Sequence, residues 1–205
     1  ASKEAKTFAC KQLSMVGNQR SIPVLADMLL EYDLTDMARY ALERIPSSNA
    51  ATTLRKAVPL VGPEHRAGII ASLGVLKDTR SINVISAAIS DQDERVVSAA
   101  LRALANIPSS EAAAVLLAAV NMTEGDMQQL AKSSYVKCGF SMLDVRRTSE
   151  ATKIFAKADE VMKDDINLRA AILRGKIAAA RNQKDAEMIG DVLKSDDVAL
   201  HPFAA

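Results

Sequence analysis

Apolar residues in this chain recur in a pattern that returns about every thirty positions. Leu13, Leu42, Leu73 and Leu104 stand 29, 31 and 31 residues apart. Four positions before each anchor stand Ala9, Ala38, Ile69 and Ala100, and three after stand Val16, Ile45, Leu76 and Ile107. Offsets of three and four place these side chains on one stripe of a helix, helix A of each unit. Twelve and sixteen positions after the anchors come Leu25 and Leu29, Leu54 and Val58, Ile85 and Ile89, Leu116 and Val120. This second stripe defines helix B. Polar turns separate A from B: Gly17-Asn18-Gln19-Arg20, Pro46-Ser47-Ser48, Lys77-Asp78-Thr79-Arg80 and Pro108-Ser109-Ser110. Proline stops helix A, and the hydroxyl or Asp side chains cap helix B.

A lone hairpin of two amphipathic helices cannot bury both stripes. Stacking on the next hairpin completes the core. Ala38, Ala41, Ala100 and Ala103 let neighbouring helices approach closely. The regular repeats run over residues 4–120, and the pattern degenerates over 126–194. Residues 121–126 read as a loop. One further step of 31 lands on Tyr135, with Ala131 and Cys138 at the flanking offsets. That predicts a fifth helix A, an insertion over residues 139–148, and a fifth helix B carrying Ile154, Phe155, Ala158 and Val161. A last pair spans residues 167–180 and 184–193. Ala171, Ile172, Gly175 and Ala178 form its first stripe, and Met188, Ile189 and Val192 belong to its second. Residues 195–198 resemble the turn at 90–93, so residues 196–205 read as the opening of a further unit, and the chain as a fragment of a longer one. The expected fold is all-α: one repeat domain over 1–205, a right-handed α-solenoid, or α-α superhelix, of about six stacked hairpins.

Composition sharpens this reading. Aromatic residues make up 3% of the chain and Trp is absent, so the core is built from Ala, Leu, Ile and Val, which suits close-packed helices better than a β-sandwich. The net charge of +1 gives no electrostatic case for a nucleic-acid partner, and Arg146-Arg147 is too short a cluster to change that. No apolar run reaches the roughly 18 residues of a membrane span, and no signal-peptide pattern is present. Cys10 and Cys138 each sit among apolar residues and read as buried free thiols, which leaves the compartment unknown.

No constellation of reactive residues emerges. His65 opens a helix A beside Pro63 and Glu64 and reads as a solvated first-turn residue. His201 lies beside Pro202 and reads as structural. Two histidines this far apart give no metal-ligand spacing. Cys138 falls at an apolar core offset and has no sequence-local partner for nucleophilic chemistry. The acidic pairs Asp91/Asp93, Asp164/Asp165 and Asp196/Asp197 precede helices, which points to capping rather than to a two-carboxylate hydrolase site. No glycine-rich loop cradles a phosphate, and the methionines read as packing filler. No catalytic, cofactor-binding or metal-binding residue is expected.

Ala99-Ala100-Leu101-Arg102-Ala103-Leu104, with Asp91 and Asp93 in the preceding turn, resembles HEAT-like repeats of the phycobilisome-lyase type. The resemblance covers residues 4–120 well and 126–194 loosely. Lyases of that family bind linear tetrapyrroles, but no attachment residue carries over to this sequence. Met37-Ala38-Arg39-Tyr40-Ala41-Leu42 and Ser72-Leu73-Gly74-Val75 also resemble repeat regions of large bacterial envelope proteins, which leaves an extracytoplasmic location open. The resemblance implies that B helices line a concave side. The B-helix residues facing away from the core stand ten, thirteen and fourteen after each anchor. Beyond Pro23, Ala26 and Asp27 they are Thr52, Arg55 and Lys56; Asn83, Ser86 and Ala87; and Ala114, Leu117 and Ala118. Either these nine form a groove for a peptide or helix, with Arg55 and Lys56 meeting an acidic group, or residues 141–162 or a neighbouring domain cover the apolar end. Lys11 and Arg102 belong to an opposite, merely solvated surface. The function expected is a non-catalytic binding or scaffold module for a protein or ligand partner, with no nucleic acid and no membrane insertion. The alternative is an accessory repeat domain of a larger, sugar-active bacterial enzyme whose catalytic domain lies elsewhere in a parent chain.

Overall fold

The structure, a computed structural model, describes residues 2–162, 165–180 and 187. Eleven helices follow one another among them, with no strand: α1 (Lys3–Val16), α2 (Ile22–Leu29), α3 (Thr35–Arg44), α4 (Ser48–Ala57), α5 (Pro63–Val75), α6 (Ile82–Ala87), α7 (Glu94–Asn106), α8 (Ser110–Met122), α9 (Gly125–Asp144), α10 (Thr148–Val161) and α11 (Ile166–Ala179). Odd-numbered helices are the A helices and even-numbered ones the B helices. The chain forms two compact units, Ala1–Leu104 and Ala105–Ala205, with the junction inside α7.

The turns do in the first unit what their residues dictate. Asn18 accepts a hydrogen bond from the Arg20 amide, and Ser47 accepts one from the Asn49 amide, so each caps the helical turn that follows. Ile45, placed before Pro46, adopts extended backbone and ends α3. The stripes meet in a core where Leu25, Leu42, Leu54, Ile69, Leu73 and Ile85 are fully enclosed. Within it α3 packs on α1, α2 and α5, and α4 packs on α2 and α5. The close approach expected of Ala103 is met by Gly74 on α5: a Cβ there would stand 2.6 Å from the Ala103 Cα. Ion pairs tie helices to turns further along the chain: Lys6 of α1 to Glu31, just after α2, at 2.7 Å; Arg55 of α4 to Asp78, just after α5, at 2.6 Å; and Arg66 of α5 to Asp91, ahead of α7, at 2.7 Å.

The stripe departs from expectation in α1. Val16 is exposed and Ala9 and Leu13 are only half-buried, while Cys10 is fully enclosed with its sulfur 3.5 Å from that of Met28. The main packing partner of α1 is α3, so the face it buries is narrower than that of an A helix with neighbours on two sides. Leu76, at the end of α5, is likewise half-buried.

In the second unit α9 packs on α8, α10 and α11. Ala131, Tyr135 and Cys138 are buried as expected. The expected insertion over 139–148 does not exist as such. Helix α9 continues to Asp144, and only residues 145–147 turn, with Arg146 in the left-handed region at φ 62°. The added helical length buries Gly139, Ser141 and Met142, and that burial is what holds it helical. The loop at 121–126 shortens to residues 123–124. On α10, Ile154, Phe155 and Ala158 are buried, whereas Val161 is exposed at the helix end. On α11, Ile172 and Gly175 are buried as expected, but Ala178 is exposed, and Leu168, Leu173 and Ala179 fill the core instead. Met188, Ile189, Val192 and the further unit at 196–205 lie outside the described residues.

Phe155 organises this unit. Its ring is fully enclosed and occupies the space that a Cβ on Gly139 or on Gly175 would need. Two glycines, one on α9 and one on α11, thus make room for one aromatic side chain from α10. Phe140 meets the ring edge-on at 5.0 Å between centroids, and the Arg174 guanidinium lies 5.2 Å above the Phe140 ring.

Candidate partner-binding surface

The nine B-helix residues singled out in the sequence are exposed or half-exposed, as their offsets from the buried stripe require. Six lie in the first unit. The Thr52 hydroxyl donates to the Ser48 carbonyl one turn back, and Ser86 is half-buried. Lys56, Asn83 and Ala87 are exposed. Arg55 is engaged within its own chain: its guanidinium donates to the Asp78 carboxylate at 2.6 Å and to the Ser81 hydroxyl at 3.1 Å. The acidic group that Arg55 meets is therefore Asp78.

Burial pushes the Asp78 carboxyl up, but hydrogen bonds from the Ser81 hydroxyl and the Arg55 guanidinium, with the charge of Arg55, outweigh that and hold it below the usual carboxylate range. A depressed carboxyl stabilises the fold fully above the ordinary value of about 4, and the contribution is lost as pH falls through the folded value. Asp78→Asn is expected to cost about 1–2 kcal/mol at neutral pH. In urea melts the variant and the wild type should converge as pH drops below about 4. A gap that persists unchanged into acid would show that the ion pair is not its source.

The other three residues, Ala114, Leu117 and Ala118, lie on α8 in the second unit. Ala114 and Ala118 are exposed and Leu117 is half-exposed. Ala114 and Leu117 line a cleft of about 340 Å³ between the B helices α8 and α10, over the A helix α9. Its buried lining is Ala113, Tyr135 and Ile154; Ser110, Glu150 and Lys153 bring the polar groups. The small side chains of α8 create the depression. Helix α10 stands beside the Ala/Leu strip without covering it.

Tyr135 went unnoticed as a site residue because it occupies the anchor offset where the regular units carry Leu. The signal available was the hydroxyl itself. The residue is 4% exposed, and its oxygen makes no hydrogen bond among the described residues. The fully enclosed, unpartnered side-chain atoms among those residues are the two His65 ring nitrogens, so the Tyr135 oxygen keeps open surface. Burial pushes its ionisation up to about 12, so Tyr135 brings to the cleft lining a neutral hydroxyl able to donate and to accept. At the rim, Glu150 pairs with Arg147 at 2.9 Å and also lies in the field of Lys153. Lys153 itself makes no ion pair among the described residues.

His65 is not a solvated first-turn residue. Its side chain is 13% exposed, its ring meets Tyr32 edge-on at 4.8 Å, and Nδ1 lies 3.3 Å from an Asp36 oxygen without the alignment of a hydrogen bond. The cause is packing of α5 on α3, which brings Asp36 against the first turn of α5. Asp91 and Asp93 accept from the backbone amides of Asp93 and Arg95 at the start of α7, and Asp165 accepts from the Leu168 amide in α11. Cys10 and Cys138 are buried free thiols, and burial pushes Cys138 up to about 11. Among the described residues no three His, Cys, Asp or Glu side chains are placed to hold a metal ion. His201, Asp164 and Asp196/Asp197 lie outside them.

A family model described as HEAT repeats matches residues 62–134, from the start of α5 to the middle of α9. No curated protein matches the chain. The matched stretch includes all of α8 and ends one residue before Tyr135.

Proposed function

Because the chain is a HEAT-like repeat protein, we propose that it is a non-catalytic binding module which presents the outward faces of its B helices to a polypeptide partner. HEAT repeats in general serve as interaction scaffolds, and the arrangement of stacked hairpins explains why: each helix spends one stripe on the core and keeps its other face free. Among the described residues no helix is long and apolar enough to cross a membrane.

One observation carries the reading. Ala114, Leu117 and Ala118 present small apolar side chains on α8, beside a cleft that α10 leaves open. A contiguous apolar face of this kind marks an interaction surface more often than a solvated one. The test is affinity capture from the native host with tagged protein. Proteins retained by the wild type should be lost from the Leu117→Glu, Ala118→Glu double variant and kept by Lys11→Glu, a change on the exposed side of α1. Circular dichroism should report the same helicity for all three. A partner retained equally by the double variant would remove α8 from the interface.

A further inference from the structure

We infer that the cleft between α8 and α10 is an anchor pocket for one apolar side chain of a partner peptide flanked by carboxylates, with the Tyr135 hydroxyl as its internal hydrogen-bonding group. The inference rests on the interaction reading above and adds the chemistry of the ligand.

Three observations converge on it. The first is size. A cavity of roughly 150 Å³ lined by apolar side chains holds a benzene, so 340 Å³ takes a leucine- or phenylalanine-sized group with the adjoining main chain, and not a whole helix. The apolar contact surface comes from Ala113, Leu117 and Ile154.

The second is Tyr135. A hydroxyl unpaired by the protein, on a residue that is 4% exposed and lines the cleft, is satisfied best by a ligand that brings its own acceptor or donor. A peptide main chain supplies both within reach of an anchored side chain. A purely apolar ligand leaves the hydroxyl unpaired and is disfavoured.

The third is charge. Glu150 is satisfied by Arg147, and Lys153 stands beside the same carboxylate, exposed on the cleft. Lys153 itself makes no ion pair among the described residues, so it is the uncommitted charge of the lining. It favours acidic residues next to the anchor and disfavours basic ones.

The experiment uses the full chain and three probes: an acetylated, amidated peptide with leucine between two aspartates; the same peptide with lysines in place of the aspartates; and free N-acetyl-leucine. Binding is followed by the amide chemical shifts of α8 and α10. The acidic peptide is expected to shift these amides and to bind more tightly than the lysine peptide. Tyr135→Phe, which removes only the oxygen, should weaken it about three- to tenfold. Lys153→Glu should reverse the preference between the two peptides. Equal binding of the two peptides to the wild type would overturn the inference, as would an undiminished affinity in Tyr135→Phe. N-acetyl-leucine binding as tightly as the acidic peptide would overturn it in favour of a small carboxylate. A wild-type dimer that Leu117→Glu dissolves would overturn it in favour of a second copy of this chain. The broader reading fails separately: a partner lost from the Leu117→Glu, Ala118→Glu variant, with peptide preference unmoved by Tyr135→Phe and Lys153→Glu, keeps the α8 surface and discards this pocket chemistry.

Discussion

Ile85→Asp is expected to abolish cooperative folding of the first unit. Ile85 is fully enclosed in the stripe of α6. A carboxylate there would be taken wholly out of water, and burying a charge without a partner costs several kcal/mol even after the surroundings relax. Domains of this size are stable by about 5–15 kcal/mol, so a single such change consumes most of the margin. Lys56→Ala is the matched control: Lys56 is exposed on the opposite side of its B helix, and its loss should fall within about 0.5 kcal/mol. Thermal melts followed by circular dichroism separate the two. A melting temperature for Ile85→Asp equal to that of the wild type would mean that the B stripe does not face the core.

The second large effect lies at Phe155. Its ring is the largest fully enclosed side chain among the described residues, and Phe155→Ala should cost about 3–5 kcal/mol, part of it from the cavity left behind. Gly175→Ala alone should also destabilise, by about 1–3 kcal/mol, because its new methyl runs into that ring. Combined, the signs change. In the Phe155→Ala background the Gly175 methyl enters the vacated space, and alanine is favoured over glycine in a helix interior by about 1 kcal/mol. Gly175→Ala should then stabilise. A urea double-mutant cycle measures the reversal. If Gly175→Ala costs the same in both backgrounds, the ring does not lie against α11.

Much of this architecture is legible in the sequence, and for one reason. Positions such as Leu42, Leu73, Leu104 and Leu116 satisfy a period that is local to each hairpin, so the same physics is written several times over and the copies agree. The caps Ser47 and Ser109, placed next to Pro46 and Pro108, mark the turns by chemistry that needs no tertiary information. What was not legible depended on distant partners. Residues 139–148 read as an insertion in the sequence, yet Gly139 is a helical position emptied to admit Phe155 from another helix. Val16 matched the stripe, yet burial requires a neighbour as well as a period, and at that end of α1 the side chain is exposed. His65 looked solvated because its shielding comes from Tyr32 and Asp36, about thirty residues away.

The candidate surface shows the same division. That Ala114, Leu117 and Ala118 point away from the core follows from their offsets alone. That Arg55 is occupied by Asp78, and that Tyr135 lines a cleft, follows from which hairpin lies alongside. Sequence period tells which face of a helix is outward; it does not tell which outward groups are already spent.

The ion pairs that link helices to later turns of the first unit bear on how the protein reaches its fold. Lys6 and Glu31, Arg55 and Asp78, and Arg66 and Asp91 are separated by 25, 23 and 25 residues. Each closes a loop of less than one repeat, and none asks the chain to bring distant segments together. Because the entropy of closing a loop grows only with the logarithm of its length, these closures are nearly equal in difficulty. No single one is an obligatory nucleus. Folding of such a ladder starts at whichever hairpin forms first and spreads to its neighbours, at the speed typical of low contact order.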